Sequence, residues 1–187
     1  MINYLNLFIS PSKALDTLDE NKPSPLTLYI LWTISAFGMT MPQFANSQQT
    51  KALGDAAILV YIILFPIMYF PLTYGLGYLF WIFGKAFKGK SSFIQMRTLI
   101  VYSQIPFILQ SAFSIPFMII GFIKDDLKIF AHENYLSGLI LWLISFRILM
   151  VGIAKYNKFN WTITIITWIL ATSLLGGLAY LRILLKN

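Results

Sequence analysis

The sequence predicts an all-α fold, a polytopic bundle of about five membrane-spanning helices. Three observations predict it. Of 187 residues, 58% are apolar and 11% charged, against about 25% charged in soluble domains. The apolar residues gather into five long stretches separated by short polar ones. Lys and Arg are distributed unequally between alternate connections. A soluble chain of this length needs a more polar shell than this composition supplies, so lipid is the expected solvent for most of it.

Residues 1–24 form a cytoplasmic segment ahead of the spans. It is not a signal peptide, because a basic leader is missing and Asn3, Asn6 and Pro11 interrupt the apolar run. Ser10 is placed to cap a short helix with Pro11 in its first turn, and Ala14, Leu15, Asp16 and Leu18 give it two faces. That helix is expected either to lie on the membrane surface or to stand in water.

A spanning helix needs about 20 mostly apolar residues, and residues 25–187 form a domain holding five. The first span covers about 26–44. The second, about 56–83, is 28 residues without a charge, about 42 Å of helix and too long to cross untilted. Pro66 and Pro71 are its expected kinks. The third, about 98–123, carries Pro106 and Pro116; the fourth, about 135–154, carries Arg147; the fifth covers about 159–181. The small residues Thr172, Ser173, Gly176 and Gly177 suit close packing against another helix of the same chain.

Eight basic residues fall on one side: Lys13, Lys22, Lys85, Lys88, Lys90, Arg97, Lys155 and Lys158. Five fall on the other: Lys51, Lys124, Lys128, Arg182 and Lys186. Short positive loops stay cytoplasmic, which puts the N-terminus inside and the C-terminus outside. Trp81 and Trp161 fall at cytoplasmic boundaries, as interfacial anchors do.

Composition and motifs also exclude functions. The net charge of +7 is the cytoplasmic excess of a membrane protein, with no basic, aromatic-interleaved run for nucleic acid. Without cysteine there is no disulfide or thiolate metal site. The one histidine, His132, lies in an outer loop with Asp125, Asp126 and Glu133, a solvated group without metal-ligand spacing. A Ser-His-Asp arrangement therefore cannot form within the bilayer, and Gly75 and Gly77 lack the Lys of a phosphate loop. No enzyme activity, cofactor or metal is expected.

Two polar features stand inside the spans. Arg147 lies seven residues before Ala154, about 10 Å from the cytoplasmic boundary. It is either a site for an anion, a headgroup or an ion pair, or an arginine snorkelling to the interface. Tyr102, Ser103 and Gln104 precede Pro106, which denies a helix bond to the carbonyl of Tyr102. These groups are expected to face helices two and four and to bring Gln104 within reach of Arg147. Together they are the candidate intramembrane polar site.

The run Gly89-Lys90-Ser91-Ser92-Phe93, followed by Val101-Tyr102-Ser103-Gln104-Ile105-Pro106, resembles the central signature of the Yip (Ypt/Rab-interacting protein) family. Ser10-Pro11-Ser12-Lys13-Ala14 is similar to the pre-membrane helix of its bacterial members. The resemblance implies a compact five-span bundle and, in eukaryotic members, association with Rab-type GTPases. Those members carry a long cytoplasmic region with an Asp-Leu-Tyr-Gly-Pro motif, whereas about 25 residues precede the first span here. The expectation is therefore a bacterial-type member in the cytoplasmic (inner) membrane, without a Rab partner. Its partners are the lipid bilayer and either other proteins or further copies of itself. The alternative function is a small-solute or ion transporter or channel using the polar site.

Overall fold

The computed structural model describes residues 4–45, 56–124 and 135–184. Asp125, Asp126, His132, Glu133, Lys51, Lys128 and Lys186 lie outside the described residues. The described residues are helical, with no strand among them. In chain order the helices are α1 (Asn6–Ile9), α2 (Pro11–Glu20), α3 (Pro25–Ala45), α4 (Ala56–Ala86), α5 (Phe93–Gln104), α6 (Phe107–Lys124), α7 (Tyr135–Asn157) and α8 (Trp161–Leu184). Pro66–Ala86 and Ser137–Asn157 are long and apolar enough to cross a membrane, and Pro25–Met39 and Trp161–Gly177 are shorter apolar helical stretches.

Helix α5 is the hub. It packs between α4 and α7, and α3 touches it while making its main contact with α6. Helix α8 closes the bundle against α4 and α7. Met96, Leu99, Ile100, Val101 and Tyr102 of α5 are buried together with Ile148 and Ile153 of α7. Outward faces are apolar instead: Ile63, Ile67, Leu139, Leu143 and Ile169 are all exposed. Apolar surface of this extent is costly in water and costs nothing in hydrocarbon.

Several expectations change. The third stretch is two helices, not one kinked helix: α5 ends at Gln104 and α6 starts at Phe107. Pro106 has no N–H for the Tyr102 carbonyl, which accepts from Ile105 N at 3.3 Å, and short bonds from Ile108 N and Leu109 N carry the chain across the break. By contrast, Pro66 and Pro71 sit inside a continuous α4, and Pro116 inside α6.

The N-terminal helix turns its apolar face to the bundle itself. Leu7, Ala14, Leu15 and Leu18 are buried in the same core as Leu99 and Ile148, because α1 and α2 dock on α7. Nor does the Ser10 side chain cap α2; at φ −134°, ψ 73° it makes no cap bond, and its carbonyl takes the N–H of Ala14 at 3.0 Å. Finally, Gly176 and Gly177 meet no neighbour among the described residues within 4 Å of where a Cβ would stand, so no described helix packs closely on α8 at these positions.

Candidate functional site: the signature joint and the docked N-terminus

The run Gly89-Lys90-Ser91-Ser92-Phe93 forms the turn between α4 and the start of α5. Helix α4 ends in a Schellman motif, with Gly89 N bonded to Gly84 O at 2.8 Å and Lys88 N to Lys85 O at 2.9 Å. Lys88, the residue that turns the chain, holds φ 62°. Ser92 then starts α5 through a capping box: its hydroxyl accepts from Gln95 N at 3.2 Å, and the Gln95 side chain accepts from Ser92 N at 2.9 Å.

Helix α7 ends the same way. Phe159 N bonds Ala154 O at 2.9 Å, Lys158 N bonds Lys155 O at 3.3 Å, and Lys158 holds φ 58°. Asn157 joins the two ends. Its Oδ1 accepts from Ser91 Oγ at 2.7 Å and Ser91 N at 3.4 Å, and its Nδ2 donates to Ile153 O at 3.1 Å. Asn157 is 2% and Ser91 1% exposed. Glycine is required around it: a Cβ on Gly84 would stand 2.8 Å from Asn157 Oδ1, and one on Gly89 would collide with the same atom.

Arg97 is not a loop charge, contrary to expectation. The capping box begins α5 at Phe93, which places Arg97 in the second turn, its backbone against Gly77 of α4. The guanidinium carbon lies 4.6 Å from the centre of the Tyr74 ring, and Nη1 donates to the Tyr74 hydroxyl. Its Nε is buried and has no partner among the described residues. Tyr78, Trp81 and Phe93 extend this aromatic face, with Phe93 6.4 Å from each of the other two ring centres.

The candidate polar site is dispersed. Tyr102 and Ser103 are each 1% exposed, and Ser103 Oγ donates to Ile100 O of its own helix at 2.8 Å. Gln104 Oε1 is buried without a partner among the described residues, so it makes no bond to Arg147. Arg147 turns instead to the N-terminal segment, donating to Phe8 O at 3.2 Å and Ile9 O at 3.3 Å. Eight residues further along α7, Lys155 pairs with Asp16 at 2.6 Å and donates to Ser12 O at 2.5 Å. Tyr156 donates to Asp19 Oδ1 at 3.1 Å. Burial pushes the Asp19 carboxyl above its ordinary pKa, and Tyr156 and Lys155 pull it back in part.

Sequence reasoning missed Asn157, Lys155 and Tyr156. An Asn near lysines at a helix end reads as an ordinary terminus, and nothing in the sequence pairs it with Ser91, 66 residues away.

The class defined so far is an all-helical protein with apolar helices fit for a membrane and a buried polar joint at one end of the bundle. Residues 5–181 match the Yip1 domain. The chain belongs to the Yip family, a family of membrane-associated proteins. No curated protein and no solved structure matches it.

Proposed function

We propose that the chain is a non-enzymatic, five-span protein of the bacterial cytoplasmic membrane that works through protein or lipid partners. In this reading the N-terminus is cytoplasmic and the C-terminus outside. The observation that carries it is the signature joint. Ser91, within the signature run, and Asn157 hold the ends of α4 and α7 together, and the exposed Lys88, Lys90 and Lys158 stand around that end of the bundle. A rigid end bearing outward cations suits contact with an anionic partner or headgroup layer. Buried polar groups such as Ser35, Thr73 and Ser103 are satisfied by carbonyls of their own helices, which supports a packed bundle over a solute path. Without Arg97 the basic residues still divide seven to five in favour of a cytoplasmic N-terminus.

Reporter fusions after Lys90 and after Asn187 should report opposite sides of the membrane. The same side for both would overturn the five-span arrangement. Purification from native membranes, followed by mass spectrometry of retained lipids and proteins, should recover a partner lost on Lys88→Glu/Lys158→Glu substitution. Solute flux through proteoliposomes of the pure protein would replace this proposal with the transport alternative.

A further inference from the structure

The outward surface of the docked N-terminus changes character at Ser10–Pro11. In α2 the exposed residues are Ser12, Lys13, Asp16, Thr17 and Glu20, all polar. In the stretch before it they include Leu5, 65% exposed, and Ile9, 77% exposed. The turn lies alongside α7, and the contacts fix its depth. Tyr156 and Lys155, at the end of α7, meet Asp19, Asp16 and Ser12. Arg147 meets Phe8 and Ile9. It lies ten residues before Asn157, about 15 Å along the helix. Residues 5–9 therefore sit beside the apolar part of α7, where Leu143 is also exposed.

The hydrogen bonds fit that depth. The break at Ser10–Pro11 ends α1 and leaves the Phe8 and Ile9 carbonyls without helical donors. Open carbonyls at membrane depth are costly, and so is a lone guanidinium. Each here satisfies the other.

We propose that α1 is a membrane-embedded interfacial helix, with Leu5 and Ile9 against lipid acyl chains and Arg147 closing its open carbonyls. Such helices sit about 5–10 Å into the boundary between headgroups and acyl chains. Asn6, the outward polar group of α1, can donate to lipid ester carbonyls at that boundary. This rests on α7 spanning the membrane, and the test separates the two.

The chain has no cysteine, so Ile9→Cys, Glu20→Cys and Leu143→Cys each give a single thiol. The full chain in lipid nanodiscs, where both faces meet the reagent, is treated with a charged maleimide and, separately, labelled with bimane and exposed to acyl-chain doxyl lipids. The Ile9→Cys variant should react at least about tenfold more slowly than Glu20→Cys, because a thiol in apolar surroundings forms little thiolate. Its bimane should be quenched by doxyl as in Leu143→Cys. If Leu143→Cys escapes doxyl quenching, the membrane placement of α7 falls and the proposal with it. If Leu143→Cys is quenched while Ile9→Cys reacts as fast as Glu20→Cys, α1 stands in water and this proposal alone is overturned. Protection of the Ile9→Cys thiol without doxyl quenching means that a second copy or another protein covers it, which also overturns the lipid assignment. Adding Arg147→Gln to Ile9→Cys should raise the reactivity of that thiol severalfold, while Leu143→Cys in the same background stays quenched. Unchanged reactivity would overturn the part given to Arg147.

Discussion

Replacing Asn157 by Ala should uncouple the ends of α4 and α7. The substitution removes one acceptor shared by Ser91 Oγ at 2.7 Å and Ser91 N at 3.4 Å, and one donor to Ile153 O at 3.1 Å. Ser91 is 1% exposed, so its donors lose their partner where water has poor access. One lost hydrogen bond is worth about 1 kcal/mol and a newly orphaned buried group about 1–3 kcal/mol. The expected loss is about 3 kcal/mol, measured by reversible unfolding in mixed detergent micelles. Trypsin should cut after Lys88 or Lys90 about a hundredfold faster if opening is rapid compared with cleavage. Ser91→Ala is the milder probe, at about 1 kcal/mol, and the double variant should show a coupling of about 1 kcal/mol. A stability change within about 0.5 kcal/mol of wild type, the scale of an ordinary surface substitution, would refute the joint.

Lys158→Gly should stabilise the fold by about 1 kcal/mol, because φ 58° at this C′ position costs a residue with a Cβ and costs glycine little; the same unfolding titration measures it. Gly77→Ala should destabilise by about 1–3 kcal/mol, since the new methyl would stand 2.8 Å from the Arg97 Cα, a backbone atom that cannot swing away. Asp19 carries a pH dependence. Its folded pKa is raised by burial, so the folded state holds the proton more tightly than the unfolded one. The wild type should therefore gain stability relative to Asp19→Asn as pH falls from the raised folded value toward the ordinary value near about 3.9, and should gain nothing further below it. A wild-type advantage that shrank on acidification would reverse the sign.

Much of the bundle was legible because lipid makes a coarse demand. The apolar stretches around Pro66–Ala86 and Ser137–Asn157 could be found by counting, and the Ser91–Phe93 and Tyr102–Pro106 runs identified the family before any helix was placed. What counting could not resolve was the partner of each charge. Arg97 and Arg147 illustrate this from opposite directions. Arg97 looked like a loop residue because the apolar run resumes after it, yet the Ser92–Gln95 capping box starts the helix a turn earlier and turns the guanidinium onto Tyr74. Arg147 read either as a deep site or as a snorkelling side chain because it interrupts an apolar run, and its acceptors are backbone carbonyls about 140 residues away. Carbonyls have no letter in a sequence. The same holds at Pro106, whose missing N–H predicts a disturbed helix but not whether the chain bends or breaks. Arg147 is thus placed by backbone left open at the end of α1, and Lys85 by the Gly89 carbonyl just past the end of α4. A substitution that re-forms those helix ends should shift the charged side chains as surely as one made at the charges themselves.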